Sequence, residues 1–211
     1  MHPFVKLSNY KGVLCVDKIV IASSNPHKVE EMQFFLKEHK IEACDLSGFA
    51  KIPAPDETGK TFIENAELKA RYYADKLKLP VLADDSGLVV KALKGEPGVR
   101  SARFAGENAT GVENNKLLLE KLNGQSDRSA FFQCVLCLIL PKDKRIIFFV
   151  GKCDGKIITE YKGESGFGYD PIFKPEGQDK TFAKMNAKDK NAISHRGIAF
   201  RGFDKFLRST F

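Results

Sequence analysis

The sequence predicts an α/β fold with a central mixed β-sheet flanked by helices. Three observations carry that expectation. Short apolar, β-branched runs alternate with stretches of helical period. Helix starts carry capping residues at the right spacing. No internal repeat, low-complexity tract or interdomain linker interrupts the pattern. A chain of 211 residues, 43% hydrophobic and 29% charged, falls in the globular range. One domain, or one domain with two lobes, is expected over residues 18–211, preceded by an N-terminal extension, 1–17, of no clear period.

The elements follow in order. Lys18-Ile19-Val20-Ile21-Ala22 reads as a buried strand. Asn25 then suits an N-cap, Pro26 the first helical position, and Glu30 and Glu31 the first turns. Val29, Met32 and Leu36 share one face of that helix. Thr61-Phe62-Ile63-Glu64 has capping-box spacing, and Phe62, Ala66, Ala70, Tyr73 and Leu77 recur at helical intervals. Leu79-Pro80 closes this helix. Val81-Leu82-Ala83 reads as a strand that ends in an acidic turn, Asp84-Asp85-Ser86-Gly87. Thr110-Gly111-Val112-Glu113 opens a third helix, running through Leu122. Phe131–Leu140 and Arg145–Val150 read as antiparallel strands about a Pro141–Lys144 turn. Residues 163–177 form a long Gly- and Pro-punctuated loop, whose length suggests function. A last helix is expected over Arg196–Leu207.

Composition excludes some classes. No apolar run approaches the ~20 residues needed to span a bilayer. The first residues lack the apolar stretch of a secretion signal, so a cytoplasmic address is expected. Five cysteines make a poor disulfide framework. Cys134 and Cys137 have C-x-x-C spacing but lie in an apolar strand, where residues i and i+3 face opposite ways. The net charge of +7 suits nucleic acid, a polyphosphate, or simply a lysine-rich solvated surface.

Five constellations could carry chemistry. Ser23, Ser24, Asn25, Pro26, His27 and Lys28 sit between a strand and a helix start, where free amides and the helix dipole favour phosphate. Capping alone explains all of them except Lys28. Asp84-Asp85-Ser86-Gly87 places two carboxylates side by side, as a Mg²⁺ site would, although the same residues also make solvated turns. Glu57 precedes a helix on which Asn65 and Lys69 share a face. Gly166-Phe167-Gly168-Tyr169-Asp170-Pro171 offers close backbone approach and rings that can stack on a base. Ser194-His195-Arg196-Gly197 offers donors that could read a purine carbonyl edge, or serves as a helix cap.

In this order the blocks closely resemble the inosine triphosphate pyrophosphatase family, hydrolases of non-canonical purine nucleoside triphosphates. Ser24–Lys28, Glu57–Ala66, Ala83–Leu88, Pro97–Arg103, Gly166–Pro171 and Ile193–Gly197 carry the resemblance, which spans about Lys18 to Leu207. It implies cleavage of ITP, dITP or XTP to the monophosphate and pyrophosphate, with Mg²⁺. It also implies an elongated two-lobed fold with the active-site cleft between the lobes, and a homodimer, with no nucleic acid or membrane partner. By the same resemblance Asp85 is the general base and a metal contact, Glu57 a metal ligand, and Asp84 a support for the metal or its waters. Ser23 to Lys28 hold the triphosphate, with Lys69 and Ser86 nearby. Phe167, Gly168, Tyr169 and Asp170 hold base and sugar, and Lys190, His195 and Arg196 complete the pocket. Two departures stand out: 17 residues precede Lys18, and Asp189 stands where a glutamate is expected before Lys190.

Two rivals remain at this level. A nucleic-acid-binding module fits the basic balance but not Glu57, Asp84 and Asp85, which repel a phosphate backbone unless metal is present. A related pyrophosphatase acting on modified pyrimidine nucleotides is the nearer rival.

Overall fold

The computed structural model describes residues 9–10, 13–14, 17–50, 52–163 and 166–210. Most of the 1–17 extension lies outside these. Its described part forms a separate two-stranded antiparallel ladder, β1 (Asn9–Tyr10) with β2 (Val13–Leu14). The main elements are β3 (Lys18–Ala22), α1 (Pro26–Glu38), β4 (Glu42–Asp45), α2 (Phe62–Leu77), β5 (Val81–Val90) and α3 (Gly111–Lys121), then β6 (Ser129–Leu140), β7 (Arg145–Ile157), β8 (Phe173–Pro175), α4 (Ala187–Ile193) and α5 (His195–Thr210).

Six strands form one mixed sheet in the order β4-β3-β5-β6-β7-β8. β3 pairs parallel with both β4 and β5, and β7 pairs antiparallel with β8. β6 and β7 are neighbours joined by four residues, a connection that only antiparallel strands permit. The expected α/β class and mixed sheet are therefore present.

The chain divides into two compact units. One comprises the residues through Asp84, Val135–Phe149 and those from Phe200 onward; the other comprises Asp85–Cys134 and Val150–Ala199. In the first unit Ile19, Val20, Ile21, Met32, Leu36, Ala66 and Leu82 are fully buried. Strand β3 reads as a continuous apolar run because helices cover a parallel sheet on both faces. In the second unit Leu88, Leu118, Phe132, Ile157, Phe173 and Phe182 form one core cluster.

Several expectations need correction. Asp84-Asp85-Ser86-Gly87 is no turn: all four lie inside the ten-residue strand β5, with Asp84 and Asp85 both buried. Leu88-Val89-Val90 continues the strand, and Gly87 is required by space, since a Cβ there would sit 2.6 Å from the Gly98 carbonyl oxygen. Glu30 and Glu31 fall beyond the first turn of α1, which holds no acid. The long loop contains β8, α4 precedes the last helix, and that helix runs to Thr210. The capping boxes at Thr61 and Thr110 form as read, each with its glutamate at the third helical position. Cys134 and Cys137 lie within β6, both fully buried. Burial pushes the Cys137 thiol up to about 12 and the Cys153 thiol up to about 11.

Candidate active site

In the first unit, several candidate residues lie at the carboxyl ends of parallel strands, where open α/β sheets commonly bind ligands. The pairing of β3 with β5 ends at Ala22 opposite Ala83. Ser23 and the start of α1 follow one strand, and Asp84 follows in the other. The Asn25 side chain caps α1, accepting from the amides of His27 (3.0 Å) and Lys28 (3.3 Å). Ser23 Oγ accepts from the Asn25 amide at 3.2 Å. These amides are thus satisfied internally. The charged group of the segment is Lys28, whose Nζ lies 2.5 Å from Asp84 Oδ1. The Asp84 side chain is fully inaccessible, so the pair exchanges hydration for one close contact. Ser24, Pro26 and His27 are exposed, and Ser23, Ser24 and Pro26 border a groove of 720 Å³.

A second carboxylate–lysine pair lies in the same unit. Lys69 of α2 donates to Glu57 Oε1 at 2.8 Å, with both side chains largely buried. Glu57 stands in an irregular segment that enters α2. Asn65, one turn before Lys69 and wholly buried, accepts from the Gly59 amide at 2.8 Å.

In the second unit, Asp85 is 5% exposed on β5. Arg196 donates to Ser86 Oγ at 2.9 Å, which ties the start of α5 to β5. Asp170 is buried and accepts from the Phe167 amide (2.9 Å) and from Lys190 Nζ (2.8 Å). Lys190 Nζ lies 5.0 Å from the Phe167 ring centre and the Arg196 guanidinium 5.8 Å from it. Cations at this range are attracted to the ring face. Phe167 is half-buried and Gly168 exposed. Tyr169 is different. Its ring belongs to the core cluster and its hydroxyl donates to the Ser101 carbonyl at 2.9 Å. Burial raises this phenol well above its ordinary value.

The structure also shows what holds these groups. His195 stacks on Phe132, ring centres 4.7 Å apart and nearly parallel. A Cβ on Gly151 would collide with the His195 carbonyl and the Ala199 amide, so only glycine lets β7 approach the start of α5. Ser101 Oγ accepts from the Leu88 amide at 2.8 Å and donates to Gly98 O at 2.6 Å, which fastens the Pro97–Arg103 block to β5. Sequence reasoning missed Phe132 and Gly151; an aromatic at an inward strand position and a glycine inside a strand were the available signals. The Asp189 departure has a local role. Asn186 caps α4, accepting from the Asp189 amide at 2.8 Å and donating to its carboxylate at 2.9 Å.

The first unit thus holds two carboxylate–lysine pairs, and the second a phenylalanine with two cations near its ring. Residues 19–206 match the Ham1 family. The chain is 50% identical over 184 residues to the dITP/XTP pyrophosphatase of Desulfotalea psychrophila, covering 87% of this chain and 82% of that one. The solved Ham1 protein of Staphylococcus aureus superimposes with a TM-score of 0.84 at 41% identity, covering 92% of this chain and all of that one. The Ham1 protein of Coxiella burnetii does so with a TM-score of 0.84 at 44% identity, over 91% and 98%. The chain therefore belongs to the Ham1 family.

Proposed function

We propose that this protein hydrolyses non-canonical purine nucleoside triphosphates, dITP, ITP and XTP, to the monophosphate and pyrophosphate. The observation that carries the reading is 50% identity to a dITP/XTP pyrophosphatase across most of both chains, and the Lys28–Asp84 and Lys69–Glu57 pairs support it. Residues 18–211 would act as one catalytic domain, and a homodimer belongs to the same proposal.

A divalent cation, Mg²⁺ by its preference for oxygen ligands, fits the donor chemistry. Among the described residues no three His, Cys, Asp or Glu side chains form a metal-holding cluster. Mg²⁺ requires none, because one or two carboxylates plus phosphate oxygens and waters suffice. Glu57 and Asp85 would hold it, with Asp84 in support. When bound, it would neutralise phosphate charge and acidify a water.

The protein's own groups supply the rest. Lys28 and Lys69 stand on Asp84 and Glu57. On binding, the lysines would turn toward phosphate oxygens, and the carboxylates would be the groups that hold the cation. Charge balance then survives binding, and the two ammonium groups stabilise the departing pyrophosphate. Asp85 orients the attacking water and takes its proton at a carboxylate oxygen. The hydroxyls of Ser23, Ser24 and Ser86 and the side chains of Asn25 and His27 would add donors along the chain of phosphates, with Pro26 shaping the segment. Phe167 and the backbone of Gly168 and Tyr169 would meet the base and sugar. Lys190 and Asp170 would fix that segment, and His195 and Arg196 would donate to a 6-oxo group. A 6-amine would leave those donors unpaired, which discriminates strongly.

The test is a substrate panel with pyrophosphate detection: ITP, dITP, XTP, the four common nucleotides and modified pyrimidine nucleotides, each with and without Mg²⁺. Preferential Mg²⁺-dependent pyrophosphate release from ITP, dITP and XTP is expected over all four common nucleotides, including GTP, which shares the 6-oxo group and would be refused at its 2-amino group. Equal turnover of ATP, or preference for a pyrimidine, would overturn the proposal.

A further inference from the structure

We infer that Asn65 is a positioning residue for Glu57: its side-chain amide pins the loop that presents that carboxylate, and it does so at a cost to stability. The inference rests on the role proposed for Glu57.

The segment from Pro53 to Lys60 has no regular structure and is largely exposed. Three successive backbone amides at its end, those of Gly59, Lys60 and Thr61, are held by the first turns of α2. The Lys60 and Thr61 amides go to Glu64 Oε2, at 2.6 and 3.0 Å. This is the capping box, and its work is to start the helix. The Gly59 amide goes instead to Asn65 Oδ1 at 2.8 Å. Asn65 lies outside the capping box and inside the buried stripe of α2, beside Phe62 and Ala66. One turn on, Lys69 meets Glu57 itself. Helix α2 therefore grips the loop at two points, on Glu57 and two residues beyond it.

Two further observations indicate that the contact was not kept for stability. The Asn65 Nδ2 group is buried without a hydrogen-bond partner. A leucine of similar volume would avoid that desolvated donor and favour the helix more. The Gly59 amide, on a half-buried residue, could then be met by water. Gly59 is also fitted to its partner. Its φ is not positive, yet a Cβ there would lie 2.6 Å from Asn65 Oδ1 and 2.8 Å from Glu64 Cβ. The glycine is needed for closeness rather than for backbone freedom. What the asparagine gains is a fixed loop, and what that loop carries is Glu57.

The test compares Asn65→Leu, Gly59→Ala, the double variant and Glu57→Gln, reading melting temperature, kcat and the Mg²⁺ concentration for half-maximal pyrophosphate release from ITP. Asn65→Leu is expected to melt at or above the wild-type temperature while kcat falls about 10- to 100-fold, the size of loss an ångström of misplacement produces. Its Mg²⁺ midpoint should rise. Gly59→Ala breaks the same contact from the other side, so the double variant should be no worse than the worse single one. A lower melting temperature with kcat and Mg²⁺ midpoint intact would make Asn65 a structural residue and overturn the inference. Fully additive losses would do the same. Glu57→Gln separates the two levels. If it retains wild-type activity, the role of Glu57 fails; if it is impaired while Asn65→Leu and Gly59→Ala are not, only the positioning claim fails.

Discussion

Both units hold lysine–carboxylate pairs, and they differ in what else surrounds the lysines. In the first, two candidate carboxylates face ammonium groups: Asp84 meets Lys28 and Glu57 meets Lys69. In the second, two cations lie near one ring: Lys190 and Arg196 both approach Phe167, and they are bonded to Asp170 and to Ser86. Paired opposite charges can change partners when a polyphosphate and its cation arrive. Lys190 is paired in the same way, with Asp170, but it lies beside an aromatic ring and its pair is more deeply buried than that of Lys69 and Glu57, which suits it to hold the Phe167 segment. Under the proposed function, the first arrangement would serve the phosphates and the second the base.

The largest effect should come from Asp85→Asn. Loss of the proposed base is expected to lower kcat about 10²- to 10⁴-fold, read by pyrophosphate release. Next comes the Lys28–Asp84 pair. Lys28→Ala leaves a fully buried carboxylate without its ammonium, which should cost about 3–5 kcal/mol in a denaturant titration. A stability close to wild type would show that Asp84 needs no partner and would weaken the exchange idea. Smaller again is Arg196→Ala. It should reduce the ITP-to-ATP preference about tenfold, as expected for losing one of several donors.

The smallest effect concerns the capping box of α2. The amides of Lys60, first, and Thr61 hold the Glu64 carboxyl below its ordinary value of 4.5. A depressed carboxylate stabilises the fold fully above its ordinary value and less as pH falls through the lowered one. Glu64→Gln should therefore flatten the acid limb of the stability profile below about pH 4.5 and change little at neutrality. An unchanged acid limb would remove Glu64 from the account.

Much of this was legible in the sequence where the determinants are local. Asn25, Thr61 and Thr110 announce helix starts because capping acts over three residues. The order of the motif blocks pointed to the family. What resisted reading is set by distant residues. Asp, Ser and Gly form turns readily, so Asp84–Gly87 reads as one; the buried strand is possible because Lys28, 56 residues away, compensates Asp84. Tyr169 reads as a stacking ring, but its core packing and its bond to Ser101, 68 residues away, leave no local trace. The same holds for Phe132 under His195 and for Gly151 beneath α5.

The division of labour is tested most directly by one set of measurements: kcat/KM for ITP and ATP in wild type, Asp85→Asn and Arg196→Ala. The account predicts that Asp85→Asn lowers both substrates by the same factor and keeps their ratio, while Arg196→Ala collapses the ratio with a smaller loss on ITP. A changed ratio in Asp85→Asn, or an unchanged one in Arg196→Ala, would contradict it.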